Sequence, residues 1–498
     1  MKNYRMTSVH QFPANRFIFL PSKMKLFIWI FLGVLIGALV SIRIDYSLLI
    51  IPGLITLGLI LLSPIFGLLL YVICFIFPPG SFPITKIIFV LTIMSWLLQF
   101  FSKRSEYSNL VKSPLYWILG GMYFLGLLPI FFFDGVLDNY LAEFSDPLFF
   151  IGNSLSSILI FNTVNSEKKL DYIFIVTAIV GIIISLICIG QFFHLSPNIL
   201  GKFIEKKTNI IPDPLFGEIR RATGTFGDGP TTGFLLQTLL FLNIGKFFSD
   251  KNKLKRCFFS LTSLLILFAT FATLARSIWF TTVLTFFYLW LKKGGKVRVL
   301  VLPLIILSIF AFSFKDRVQE RIHLTYIEFT EQDKVRTDEV GHLIALLKRV
   351  VENPLIGTGI GRLNEYQSIK GYLEDQGLFY FVDPFGDPGV YAGEFNELED
   401  IQYSHSSFFP GFAAQLGIGG LLLILLLIFY TWRGLTQTEH FCRIAENSKL
   451  LNLTEGLKVT LFGILVYHIA RGHPGDRMFW FVVGLSWAVK TIAERGVK

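Results

Sequence analysis

Arginines and glycines combine in one short segment that could bind an anion. Arg220 and Arg221 precede a glycine-rich stretch, Gly224 to Gly233, that leads directly into an apolar run. Glycines at a helix start expose backbone N–H groups, and the helix N-terminus adds positive potential, so phosphate oxygens would be stabilised there. The alternative is a basic loop whose turn ends at Pro230, and the spacing alone favours neither interpretation.

A third arginine, Arg276, stands between Ala275 and Ser277 in a short break between two apolar runs. Placing arginine at membrane depth costs about 2.5–3.5 kcal/mol on insertion scales, so such a residue usually faces a polar cavity or a partner. Snorkelling to lipid headgroups is the structural alternative, and the cost favours a functional role. Arg336, in a later polar segment, is a further and weaker candidate for an anion contact.

A histidine stands where the longest polar segment returns to an apolar run, in the sequence Tyr403-Ser404-His405-Ser406-Ser407-Phe408. Imidazole titrates near neutral pH, so His405 could take a proton from a hydroxyl. Adjacent residues rarely reach the geometry of a catalytic triad, which argues against a serine nucleophile here. The residue types alone favour a polar anchor at the membrane interface.

A helix and a turn are predicted inside the same polar segment. The apolar residues that predict the helix recur at i, i+3, i+4, i+7 and i+11: Val340, Leu343, Ile344, Leu347 and Val351. The glycine-rich stretch 353–362 follows this helix and lacks G-x-G-x-x-G spacing, so a structural turn is expected rather than a dinucleotide site. The four cysteines have no metal-ligand spacing, and neither zinc nor a structural disulfide is expected.

The elements that must position these residues are membrane helices. Hydrophobic residues make up 53% of the 498 residues and charged residues 16%, whereas soluble domains carry about 25% charge. We predict an all-α polytopic bundle of 12–14 transmembrane helices with one long extracytoplasmic loop. The first run lacks a cleavage site and is interpreted as an uncleaved span. Fourteen apolar runs are candidates: 26–42, 48–62, 64–77, 84–101, 115–133, 147–162, 170–193, 231–248, 258–274, 277–291, 299–314, 408–430, 457–470 and 477–491.

Lysine and arginine clusters give the predicted orientation. With fourteen spans, the basic connections and both termini fall on one side, the cytoplasm. The opposite side receives the segments 194–230 and 315–407, and the latter holds 17 acidic and 9 basic residues, a net charge of −8. Since the whole chain carries +10, the remainder carries +18. This positive charge anchors cytoplasmic connections, so no nucleic-acid partner is expected.

In order and type, the motifs resemble the O-antigen ligase and polymerase family of bacterial envelope glycosyltransferases. An R-x-x-G-x-F segment, Arg221 to Phe226, opens one span and is followed by the hairpin turn with Arg276. The long loop with Arg336 comes next, and His405 stands before an E-x-G-like helix start at Gln415. The similarity covers about residues 215–430. Where this chain has Gln415 and Ala275, the family often has Glu and Ser.

The resemblance implies a C-type glycosyltransferase fold: a metal-independent, cofactor-free transferase of the bacterial inner membrane with its active site facing the periplasm. The donor would be a glycan on undecaprenyl pyrophosphate, bound by Arg221 and Arg276. Arg220 could take the place of Arg221, and Arg336 would be a supporting contact. His405 would act as the base toward the acceptor hydroxyl, with inversion at the anomeric carbon. The acceptor would be lipid A core or another glycan, and membrane lipids would surround the protein.

Three regions follow from this interpretation: an N-terminal transmembrane bundle (1–193), a catalytic region (194–430) that includes the loop 315–407, and a C-terminal transmembrane hairpin (431–498). The motifs do not separate a ligase from a polymerase or a protein O-glycosyltransferase. A lipid-linked oligosaccharide flippase is the alternative from another class. The absence of a visible internal repeat and the long acidic loop argue against it.

Overall fold

The computed structural model describes most of the predicted apolar runs and little of the long polar segments. The described residues are 47–76, 83–102, 113–132, 145–193, 210–213, 217–220, 222–226, 229–294, 347, 350–351, 353–357, 359, 408–472 and 474–497. The predicted runs 26–42 and 299–314 lie outside them, as do Arg221, Arg336 and His405.

Helices form at each of the other twelve predicted runs. Proline at the first helical position and Ser or Asn caps begin several of them; the side chain of Asn252, for example, accepts from two backbone N–H groups of the following turn. The helices are α1 (Ser47–Leu62), α2 (Pro64–Ile73, continued by a 3₁₀ turn Cys74–Ile76), α3 (Pro83–Ser102), α4 (Pro114–Leu127), α5 (Pro129–Phe132), α6 (Ser145–Thr163), α7 (Glu167–Phe192), α8 (Gly229–Ser249), α9 (Lys253–Ala272), α10 (Arg276–Lys292), α11 (Phe408–Ile444), α12 (Ser448–Ala470) and α13 (Arg477–Val497).

Four of the described helices, α7, α9, α11 and α12, are long and apolar enough to cross a membrane. Shorter apolar helices accompany them at Pro64–Ile76, Thr85–Phe101 and Pro114–Leu127. Large apolar side chains remain on the outer surface, including Trp117 at 72% exposure and Phe280 at 64%. Such surfaces favour lipid over water, so the helices fit a multi-pass membrane protein.

One short hairpin departs from the all-α prediction. Strand β1 (Ile210–Asp213) pairs antiparallel with β2 (Gly217–Arg220), and Ile210 lies opposite Arg220 in the register. The hydropathy of the sequence did not predict a strand here, because the segment is polar and short. The hairpin makes Arg220 the last residue of a strand that leads into the R-x-x-G-x-F segment.

Helix α8 lies at the centre of the bundle. It packs against α7, α9, α10 and α12, and 17 of its 21 residues are buried. A helix that is apolar on nearly every side is stable only when it is enclosed. Helix α11 packs in turn against α4, α12 and α13. Chain segments that contact either end of α8 are therefore positioned by the most enclosed of the described helices.

Ion pairs join the helices at one end of the bundle. The Nζ atom of Lys246, which is 1% exposed, lies 2.6 Å from Asp171 Oδ1. Lys449 Nζ reaches the same carboxylate at 3.1 Å, so α7, α8 and α12 meet there. Further pairs join Lys292 to Glu439 and Lys293 to Glu455. All of these residues belong to, or adjoin, segments that the charge pattern predicts to be cytoplasmic, and the structure brings them to the same end.

Candidate functional site

The segment that follows Arg221 is a tightly held loop at the opposite end of the bundle. The side chain of Gln191, near the end of α7, accepts from the backbone N–H groups of Thr223 and Gly224 at 3.0 and 2.8 Å. Its amide also donates to the Gly224 carbonyl at 2.9 Å. One buried glutamine thus satisfies three backbone groups of the loop, and Gly224 adopts φ = +58°, where glycine is favoured.

Two further bonds fix the loop to α8 and α9. The hydroxyl of Thr232 on α8 donates to the carbonyl of Thr223 at 2.5 Å. The backbone N–H of Ala222 donates to the carbonyl of Ala272, the last residue of α9, at 3.3 Å. Ala222 directly follows Arg221 in the chain, and Ala272 precedes Arg276 by four residues. The backbones of the two arginine-bearing segments are therefore joined directly.

Arg276 begins α10 after a strained turn. Leu274 has φ = +51°, a left-handed conformation that costs a non-glycine residue on the order of 1–3 kcal/mol and is concentrated at functional sites. The turn lies against Gly233 of α8, where an added Cβ would come within 2.9 Å of Ile278 and 3.1 Å of Thr273. Only a glycine at position 233 allows this close approach.

The helix start that follows His405 is anchored by aromatic stacking. The ring of Phe408, the first residue of α11, stacks on His468 with a centroid distance of 4.0 Å and an interplanar angle of 2°. His468, near the end of α12, is fully buried. Its ring centroid lies 5.4 Å from that of Phe234 on α8. Phe234 also stacks on Tyr467 at 4.2 Å.

Three consecutive residues of α8 therefore organise this end of the bundle. Thr232 contacts the loop after Arg221, Gly233 contacts the turn before Arg276, and Phe234 contacts the histidine that holds the start of α11. The sequence motifs lie far apart along the chain, and one helical turn of α8 brings the segments that carry them together.

The electrostatics of this end favour an anion. Helices α8, α10, α11 and α13 begin here and α7, α9 and α12 end here, so the partial charges of the helix termini oppose one another, and the net positive charge comes from the arginines. Arg276 and Arg477 occupy the first positions of α10 and α13. A cation at that position opposes the helix dipole by roughly 0.3–1 kcal/mol, so neither arginine is there to stabilise its own helix.

Arg477 is a residue of this site that the sequence interpretation missed. Its guanidinium donates through Nη2 to the Phe75 carbonyl at 2.8 Å. The guanidinium carbon lies 4.9 Å from the Phe75 ring centroid and 5.0 Å from that of Phe226, and Phe226 belongs to the R-x-x-G-x-F loop. Thr225 Oγ1 donates to the Ile76 carbonyl beside it. The sequence did contain a signal for this residue, because the charged connection 471–477 joins two apolar runs on the predicted extracytoplasmic side.

The charge of Arg477 is only weakly balanced by its neighbour Asp476. Burial raises the pKa of the Asp476 carboxyl to about 7, although the backbone N–H groups of Met478 and Phe479 and the charge of Arg477 act to lower it. The Asp476 carboxylate accepts from Met478 N at 2.8 Å and lies 3.5 Å from His468 Nε2. Within the described ranges, no carboxylate forms an ion pair with Arg477.

Helix α11 is broken where the predicted turn packs against it. Gly417 has φ = +70° and ψ = −175°, which separates 408–416 from 418–444. Backbone bonds from Gly359 N to the Gln415 carbonyl (2.9 Å) and from Ile418 N to the Pro354 carbonyl (2.8 Å) fill the gap. The first helical part starts at Phe408, and the predicted helix start at Gln415 falls at the break, after which the second helical part begins at Ile418. Among the described residues, the Gln415 amide nitrogen has no hydrogen-bond partner, although the side chain is 2% exposed.

The predicted amphipathic helix contacts the bundle through a residue outside its predicted apolar stripe. Leu347, Val350 and Val351 are helical, but Leu347 is 50% and Val351 78% exposed. Val350 is the one that packs on Ala414 of α11. The periodicity predicted a helix here, and the three described residues are helical; it made no prediction of which face contacts the bundle, and that face includes Val350.

Of the predicted site residues, the structure describes the side chain of Arg276 and the backbone of Arg220. In the described part of the chain, no group of three or more His, Cys, Asp or Glu side chains is placed to share a metal ion. No family model matches the chain, and no curated protein matches it significantly.

Proposed function

We propose that this protein is a membrane glycosyltransferase that moves a glycan from undecaprenyl pyrophosphate to an acceptor hydroxyl, as an O-antigen ligase does. The observation that carries the proposal is the convergence on Thr232, Gly233 and Phe234 of the segments that adjoin Arg221, Arg276 and His405. The motif order of the family supplies the identity of the reaction, and this convergence supports a common site for its residues.

The chemistry required is the stabilisation of a leaving pyrophosphate. Arg221 and Arg276, together with the N-termini of α8 and α10, would neutralise the charge that develops as the glycosyl bond breaks. Fixed positive groups act strongly where water is excluded. Arg220 and Arg336 would be supporting contacts. His405 would take the proton of the acceptor hydroxyl, which attacks the anomeric carbon from the opposite face and inverts it.

The proposed orientation places the ion-pair end in the cytoplasm and the arginine-bearing end in the periplasm, with the protein in the inner membrane. In this orientation, a lipid-linked donor whose glycan projects into the periplasm would reach the arginine-bearing end. The acceptor is lipid A core for a ligase and a second lipid-linked glycan for a polymerase.

The test is transfer by purified full-length protein supplied with an undecaprenyl-pyrophosphate glycan and each acceptor in turn. We expect joined product, and we expect Arg276→Gln and His405→Ala each to lower its rate by about 10²–10³-fold, as loss of one transition-state contact does. Arg433→Gln, an exposed arginine on α11, is the matched control. Translocation of glycan across vesicles without any joined product would refute the proposal, as would normal rates in both variants.

A further inference from the structure

A groove of about 280 Å³ lies between the last turn of α8 and the first turns of α9. It is at the ion-pair end of the bundle, the far end of α8 from the candidate active site. Its lining combines cationic, small polar and apolar side chains: Phe247, Lys253, Arg256, Cys257, Ser260 and Leu261.

The cations of this groove differ from the other cations at the same end. Lys246 pairs with Asp171 and Asp250, and Lys293 pairs with Glu455. In contrast, neither Lys253 nor Arg256 forms an ion pair with any carboxylate among the described residues. The Arg256 guanidinium instead lies 5.0 Å from the ring centroid of Phe247. The groove therefore has positive charge that no carboxylate in the described part of the chain compensates.

The polarity of the lining changes in order along α9. A helix rises about 1.5 Å per residue, so Leu261 lies about 12 Å along the axis from Lys253. The cations come first, Cys257 and Ser260 lie between, and Leu261 is farthest along the axis. Leu254, outside the groove, is 80% exposed and Leu261 is 61% exposed, which gives α9 a lipid-facing apolar stripe. The same order, from phosphate through glycerol esters to acyl chain, describes a phospholipid.

We propose that this groove binds one anionic phospholipid of the surrounding leaflet. Its phosphate lies between Lys253 and Arg256, and one acyl chain runs along Phe247 and Leu261. Two cations without a carboxylate favour an anionic headgroup over a zwitterionic one, whose ammonium group finds no acceptor charge in the groove. The site stands on its own observations and does not depend on the proposed glycosyl transfer.

The test measures lipid retention by the full-length protein in zwitterionic nanodiscs titrated with phosphatidylglycerol or phosphatidylcholine, read by native mass spectrometry. Lys253→Gln/Arg256→Gln removes both groove cations. Lys251→Gln/Lys255→Gln removes the same charge from exposed neighbours in the same segment and is the matched control. Leu261→Ala shortens the apolar wall without changing charge. Glycerol phosphate, added as a competitor, separates recognition of the phosphate alone from recognition of the whole lipid.

We expect phosphatidylglycerol to be retained about tenfold more than phosphatidylcholine, a difference of about 1.4 kcal/mol. That preference should disappear in Lys253→Gln/Arg256→Gln, remain in the control pair and weaken in Leu261→Ala. Equal losses in the two charge pairs would mean diffuse attraction to a basic surface and would overturn the proposal. Equal retention of both lipids, an unchanged Leu261→Ala variant, or full displacement by glycerol phosphate would do the same.

Discussion

Arg477 links the 3₁₀ turn after α2 to the R-x-x-G-x-F loop of the candidate active site through a single guanidinium. Replacing it with glutamine removes the charge and both ring contacts, and the shorter side chain ends before the position of Nη2, so the loop 222–226 should loosen. We expect faster backbone amide exchange in that loop and a loss of transfer of about tenfold or more, the scale of one desolvated cation–π contact of about 2 kcal/mol. Hydrogen exchange with mass spectrometry measures the first effect independently of function.

A matched control for Arg477 exists on the same helix. Lys490 Nζ lies 5.1 Å from the ring centroid of Trp487, near the other end of α13. Lys490→Gln therefore removes a similar contact without touching the loop, and exchange in 222–226 should stay as in the wild type. If Arg477→Gln also leaves that exchange unchanged, Arg477 does not position the loop.

Asp476 should make stability depend on pH in an unusual direction. Its pKa is raised from 3.8 to about 7, so the folded protein holds this proton more tightly than the unfolded chain. The resulting stability is complete below about pH 4 and is lost as the pH rises through about 7. Asparagine can still accept from Met478 N but cannot ionise. The melting temperature of Asp476→Asn relative to wild type should therefore rise by a few degrees between pH 5 and pH 8.

Glu494, on the same helix and 43% exposed, provides the comparison for that measurement. Glu494→Gln removes an accessible carboxylate, so its melting temperature relative to wild type should not change in this pH range. A strong loss of stability in Asp476→Asn at pH 8 would mean that a charged Asp476 stabilises the fold, contrary to this expectation.

At the scale of elements, α8 and α12 cross where two glycines meet. A Cβ added to Gly245 would come within 2.8 Å of the Gly456 Cα atom, and one added to Gly456 would contact the Gly245 backbone even more closely. The helices must therefore separate in Gly456→Ala, and overpacking of this kind costs about 1–3 kcal/mol. We expect a lower melting temperature in detergent, with weakened ion pairing at the adjacent Lys246.

Gly190→Ala is the control for the helix crossing. Gly190 is also helical, but nothing lies within 4 Å of its added Cβ. Alanine is favoured over glycine in helices by up to about 1 kcal/mol, so this variant should be as stable as the wild type or more stable. Equal destabilisation by both substitutions would show that the crossing is not the cause.

Helix positions followed from the sequence because a run of apolar residues is a local property. The break at Gly417 did not, since it depends on backbone groups of Pro354 and Gly359, which are distant in the chain. Arg276 was found because an arginine between apolar runs is conspicuous by itself. Gln191 and Arg477 were missed because each acts through its contacts with the loop 222–226, and the sequence alone does not reveal those contacts.

At the scale of the whole molecule, the described helices connect two chemically different ends. One end holds compensated ion pairs together with the cationic groove. The other holds helix N-termini, two arginines at first helical positions, and a buried carboxyl of raised pKa. Clusters of lysine and arginine in short connections are expected on the cytoplasmic side of a membrane protein, and in this bundle they lie at the ion-pair end. The proposed donor can reach the arginine-bearing end only if that end faces the periplasm, so the proposed function requires this orientation of the bundle.

Cysteine labelling tests this orientation with the residues the structure provides. Cys74, Cys188 and Cys442 are buried and Cys257 is exposed, so Cys257→Ser gives a background that should not react with a membrane-impermeant maleimide. In that background, Lys255→Cys at the ion-pair end should react only after the membrane is permeabilised. Leu355→Cys, at a position 77% exposed beside the break in α11, should react in intact spheroplasts. The reverse pattern would invert the bundle and place the arginine-bearing end in the cytoplasm, where a periplasmic transfer reaction could not occur.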